Sequence, residues 1–362
     1  MRLARAALRR PAWERLPLLA LGFIALFAGV GAGLARLDWP LPQGVAGAAA
    51  IHGPLMVCGF FGVVISLERA VALGRAWAYA APLLAGTGTA LALHGLPQAA
   101  PWASLAASGV LLAASLQLLY RQREPFMLVI ALAAGCWTMG CALWAAGWPV
   151  HDLVGWWLAF LVLTIAGERL ELSRFMPPSR AGQRLFTLIV LAALAGLAAW
   201  SLPWGQRLFG AALLALAAWL LRHDIARRTV LQQGLTRFIA VCLLSGYFWL
   251  ALGGAVIVSW GLAPGSAAYD AALHALLLGF VFAMVFGHAP IIFPAVLRVA
   301  VPYHPAFYVP LLLLHTSLAL RLAGDASGDF EWLRWGALLS AAALLAFVAN
   351  TAAAVLRGRR AR

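Results

Sequence analysis

The sequence predicts an all-α polytopic membrane protein of about twelve transmembrane helices, and three observations carry that prediction. The chain is 362 residues long, 64% hydrophobic and only 10% charged, which excludes a water-soluble domain folded around one core. Its apolar residues gather into runs that are each long enough to cross a bilayer. They fall roughly at 16–36, 45–68, 76–96, 101–120, 126–147, 151–173, 184–202, 205–222, 237–261, 268–297, 306–323 and 332–356. The third observation is arginine placement. All 26 basic residues are arginine, and a cytoplasmic N-terminus puts all but Arg36, Arg207, Arg321 and Arg334 on the cytoplasmic side. An odd number of spans would destroy that alternation under the positive-inside rule.

These spans imply a basic cytoplasmic tail over 1–15, one membrane domain over 16–356 and a second basic tail over 357–362. The expected location is a bacterial inner membrane, with both termini cytoplasmic and the lipid bilayer as partner. The net charge of +14 belongs to short loops at anionic headgroups and gives no reason to invoke nucleic acid. The first 36 residues mimic a secretory signal. Removing them would leave eleven spans, so 16–36 reads as a retained helix. Cys58, Cys136, Cys141 and Cys242 lie inside apolar runs without a CxxC pair and read as small packing residues.

In chain order, the first span ends at Arg36 and the second opens AAIHGPLMVCGFFGVVIS, with His52 a turn or two below the outer surface and Glu68-Arg69 closing the inner end. The third and fourth spans hold little that is polar beyond His94 at an outer end. The Trp-rich fifth precedes a sixth that begins at His151 and ends at Glu168-Arg169. The seventh and eighth are apolar, with Pro203 between them and His223 in the following basic loop. The ninth leads to the tenth, DAALHALLLGFVFAMVFGHAPIIFPAVLR, which carries His274 and His288. His304 falls in an inner turn, the eleventh span contains His315 and ends at Arg321, and the twelfth follows an acidic outer loop. Spans 2, 6 and 10 share an outer histidine and an inner polar residue, which suggests three four-helix pseudo-repeats over 1–122, 123–235 and 236–362.

An ionisable group inside a membrane span points by default at a cavity, a partner or a cofactor. His274 and His288 are fourteen residues apart, so on an ideal helix they return to within about 40° of one face and sit about 21 Å apart. His52 and His274 enter on parallel spans at similar depth, and two imidazoles so placed suit the axial positions of a haem b. Arg321 and Arg36, both at outer helix ends, are candidates for the propionates, and both equally suit interfacial snorkelling. Glu68, Glu168 and His288 form a candidate inner trio for a second metal such as copper, or for proton transfer. The alternative for each Glu is an ion pair with the adjacent Arg.

ALHALLLGFVFAMVFG and HGPLMVCGFFGVVIS resemble the tenth- and second-helix segments of the NnrS family, and AGERLELSRF sits where that family has its sixth-helix signature. The resemblance implies a twelve-helix bacterial membrane protein associated with haem, copper and the response to nitric oxide. Family members often carry His-x-His-Glu at the second helix, where this chain has His52-Gly53 after Ala50-Ile51. His52-Gly53 with Met56 also resembles the haem-ligand segment of haem-copper oxidase catalytic subunits. The seventh span lacks the histidine such a subunit needs for copper. The expectation is a haem-binding, NnrS-like protein of nitrogen-oxide handling, with nitric oxide or another small gas and a redox protein as partners. The alternatives are a transporter working through Glu68, Glu168 and His288, and a degenerate haem-copper-type reductase.

Overall fold

A computed structural model describes residues 12–173 and 178–360. Arg2, Arg5, Arg9, Arg10, Arg174 and Arg362 lie outside the described residues. Twelve helices are long and apolar enough to span a membrane: α1 Trp13–Ala35, α2 Ala49–Leu73, α3 Ala76–Leu93, α4 Ala100–Gln122, α5 Pro125–Ala145, α6 Val150–Ser173, α7 Arg180–Ala198, α8 Pro203–His223, α9 Gly234–Trp260, α10 Ala267–Leu297, α11 Pro305–Ser327 and α12 Phe330–Arg359. No strand occurs among the described residues. The protein is a twelve-helix membrane protein, and its apolar helices place it in contact with lipid.

Most boundaries agree with the apolar runs to within a few residues, and the differences have local causes. Helicity begins at Trp13 and continues to Arg360, so both expected tails are partly helical. Pro203 opens α8 at its first turn, where the missing N–H costs nothing. His223 closes that helix instead of standing in a solvated loop: its ring stacks on Trp219 with centroids 4.7 Å apart, and its Nδ1 lies 2.9 Å from the Trp219 carbonyl. Large exposed aromatics mark helix ends, including Trp102, Trp148, Trp204 and Trp260, as expected of residues at a membrane–water boundary.

The chain divides into two compact units, one of residues 1–114, 288–307 and 345–362, the other of 115–287 and 308–344. In the first unit α1, α2 and α3 pack together, and α1 is tied to the end of α10 where Arg15 Nη1 donates to the Val296 carbonyl at 2.7 Å. In the second unit α5 pairs with α6, α8 with α7 and α9, and α10 with α9 and α11. Trp137 stacks on Phe160 between α5 and α6, with ring centroids 5.0 Å apart. Ser340 donates to Ser317 between α12 and α11 at 2.9 Å, both hydroxyls buried.

Among the described residues, two helices contain a π-helical stretch. Leu55–Phe61 in α2 and Ala275–Phe282 in α10 are π-helical, a rare conformation associated with functional sites. Each begins within three residues of a histidine, His52 or His274, and each has Gly-Phe at its fifth and sixth positions, Gly59-Phe60 and Gly279-Phe280. These glycines admit the flanking helices. A Cβ on Gly59 would stand 2.7 Å from Ala25 of α1 and 2.6 Å from Thr89 of α3. A Cβ on Gly279 would strike Trp249 of α9 and stand 2.8 Å from Leu318 of α11. The i→i+5 bonding winds less per residue than an α-helix, so the ideal-helix phase between His274 and His288 does not hold.

Candidate functional site

His52 opens the helical part of α2 after a 3₁₀ turn over Ala49–Ile51. Its Nδ1 lies 2.7 Å from the carbonyl oxygen of Gly29 on α1. A carbonyl can only accept, so this contact requires a protonated Nδ1 and puts the lone pair of the neutral ring on Nε2. The ring is also held against α1 by shape. A Cβ on Gly33 would be 2.9 Å from Cε1 and 3.0 Å from Nδ1, and one on Gly29 would be 2.6 Å from the Met56 sulfur. Gly33 therefore leaves the space that the His52 ring occupies, and Gly29 leaves the space that the Met56 side chain occupies.

His274 closes the first, α-helical part of α10 and makes the same choice of tautomer by another route. Its Nδ1 is 2.8 Å from the Asp270 carbonyl one turn back and 3.3 Å from the Asp270 carboxylate oxygen Oδ1. Both acceptors demand N–H at Nδ1, leaving the Nε2 lone pair as the group able to bind a metal. Asp270 is in turn gripped by Arg321 of α11, whose Nε donates to Oδ2 at 2.7 Å and whose Nη2 donates to Oδ1 at 2.9 Å. This is a bidentate, charge-assisted pair, with Arg321 only 7% exposed. Asp325 of α11 stands within hydrogen-bonding reach of Asp270, and its Oδ2 is buried without a hydrogen-bond partner.

The other histidines are distinguishable by the same test. His315 of α11 accepts at Nδ1 from the indole N–H of Trp249, at 2.9 Å. Its Nε2 faces the Ser245 hydroxyl at 2.9 Å, and that hydroxyl already donates to the Val241 carbonyl. Nε2 is therefore the donor, both ring nitrogens are used, and His315 ties α11 to α9 as a neutral structural residue. His151 is exposed at the start of α6, 3.7 Å from Asp152. His304 accepts from the Ala306 N–H in an exposed turn, and His94 is exposed at the end of α3.

Of the remaining sequence-level candidates, Arg36 is exposed just past α1. Arg321 is a buried partner of Asp270, not a snorkelling anchor. Glu68, Glu168 and His288 each have an interaction partner within the protein. Among the described residues, no group of three or more His, Cys, Asp or Glu is arranged to hold a metal ion. Four residues escaped the reading of the sequence. Asp270 was visible as the lone acid at the head of its span, and Gly29 and Gly33 as a four-residue glycine spacing. Buried Tyr247, donating to Asp224 at 2.7 Å, had no signal beyond an acid next to an apolar run.

No curated protein and no solved structure matches the chain. Residues 15–356 match a family described as Domain of unknown function (DUF8744). That match covers all but the ends of the chain, and the protein belongs to this family.

Proposed function

We propose that this chain is a haem-binding membrane protein of NnrS-like type, working in nitric oxide or nitrogen-oxide handling, with His52 and His274 as ligands of a haem b. One observation carries the proposal. Both histidines, at the heads of the two π-helical segments, hold Nδ1 as a donor to a backbone carbonyl and so offer Nε2 as a ligand. The space that Gly33 leaves for the His52 ring is consistent with a ring whose position matters. When bound, haem would supply one-electron chemistry and an iron that binds small gases. The residues' own contribution is to fix the tautomer and orientation of each imidazole. His52 and His274 would each hold the group through Nε2, with Nδ1 kept as the donor to its carbonyl.

The test is the optical spectrum of detergent-purified protein from haem-replete cells, oxidised and reduced, with haem counted per chain. One low-spin b-type haem per chain supports the reading. Metal analysis of the same preparation tests whether copper is bound as well. A second reading, a proton-coupled transporter, is favoured by the buried Asp270–Arg321 pair with Asp325 beside it, since buried membrane charges mark transport pathways. A colourless preparation would support that reading against the first. The arginine distribution supports an inner-membrane location with both termini cytoplasmic. A reporter fused after Arg362 is expected to be active only as a cytoplasmic marker, and periplasmic activity there would refute the orientation.

A further inference from the structure

We infer that Asp270 and Arg321 form a relay that sets the donor strength of His274. The inference rests on the haem reading above and deepens it: it assigns Arg321 to the ligand's own carboxylate instead of to a propionate. His274 Nδ1–H is shared between a backbone carbonyl at 2.8 Å and the Asp270 carboxylate at 3.3 Å. A carboxylate behind a ligating imidazole draws on its N–H and makes Nε2 a stronger donor. Left alone, Asp270 would exert that pull at full charge. Arg321 removes part of it by taking both carboxylate oxygens in a fork of 2.7 and 2.9 Å.

The fork is buried as well as charged. Arg321 is only 7% exposed, and α12 packs closely on its backbone, where a Cβ on Gly336 would stand 2.7 Å from the Arg321 nitrogen. Asp325 is the third member, a second carboxylate that competes for the same cation. His52 is oriented through the Gly29 carbonyl of a neighbouring helix, a different device from a forked carboxylate.

The relay predicts shifts of opposite sign from its two partners, which a merely structural role does not. Asp270→Asn keeps an oxygen for His274 but loses the negative charge, and Arg321 still has Asp325 beside it. The ferric state is then less stabilised and the midpoint potential rises. Arg321→Gln, made in an Asp325→Asn background to remove the competing carboxylate, frees Asp270 to act at full charge and lowers the potential relative to that background. The expected size in each case is about a tenfold change in the ferric-to-ferrous ratio at fixed potential, which is about 59 mV for a one-electron couple. Spectroelectrochemistry of full-length protein reads both, and Asp270→Asn/Arg321→Gln serves as the charge-neutral variant should a single variant fold poorly. Its potential is expected to follow Asp270→Asn. Wild-type protein without haem overturns the functional reading and the relay with it. Haem at full occupancy with potentials that move together or not at all overturns the relay alone.

Discussion

His52 and His274 stand on the same backbone feature and owe their orientation to different forces. At His52 the acceptor for Nδ1 is the Gly29 carbonyl of another helix, and the ring lies against Gly33 of that helix. Its geometry therefore depends on how closely α1 and α2 approach. At His274 the carbonyl belongs to the same helix, and the carboxylate behind it is fixed by a cation from α11. Its geometry survives small changes in helix spacing and depends on charge.

The largest expected effects come from removing either proposed ligand. His52→Ala and His274→Ala should each give haem loss or a high-spin spectrum, read optically and by bound haem per chain. If both retain the wild-type low-spin bands, the pairing is wrong. Gly33→Leu sharpens the comparison without touching a histidine. Its side chain must occupy the space of the His52 ring, since even a Cβ would stand 2.9 Å from Cε1. It is expected to reproduce the His52→Ala spectrum, while low-spin haem at wild-type occupancy would show that Gly33 does not position the ligand.

Those residues also mark how far the sequence could be read. The twelve spans were legible because a bilayer demands about twenty apolar residues per crossing and because arginine alternates. The histidine positions followed from the cost of polar groups in such spans. The π segments were not legible, because i→i+5 bonding in LMVCGFF and ALLLGFVF is chosen by the helices that press on Gly59 and Gly279. The Asp270–Arg321 pair spans 51 residues, and only its logic, that a charge near a membrane span needs a counter-charge, was available. His315 looked like one more intramembrane histidine until its two neighbours fixed its tautomer.

That histidine gives a smaller effect that separates support from ligation. His315→Leu leaves the buried Trp249 indole N–H without its acceptor, a loss of about 1–3 kcal/mol. His315→Gln can accept from Trp249 and donate to Ser245, and should recover most of it. Thermal unfolding in detergent measures both. Trp249 also packs on Gly279 in the π segment of α10, so the Leu variant should loosen the His274 side before the His52 side. Equal stability of the Leu variant and wild type would remove His315 from the support of α10.

The smallest effect is expected at His151, and it is the sharpest test of what makes the other two ligands. His151 stands at the head of α6, as His52 and His274 stand near the heads of α2 and α10. It lacks their surroundings. The helix that follows it is α-helical throughout, Val150–Ser173. Its side chain is 43% exposed, and its contact with Asp152, 3.7 Å away and itself 48% exposed, counts as an ion pair only when the ring is protonated. A pair so open to water contributes about 0–1 kcal/mol. His151→Ala should therefore change stability by no more than about 0.5 kcal/mol and leave the low-spin bands and haem content of the wild type. Loss of those bands would move the ligand role to α6 and mean that neither the π segment nor the fixed tautomer selects the haem ligands.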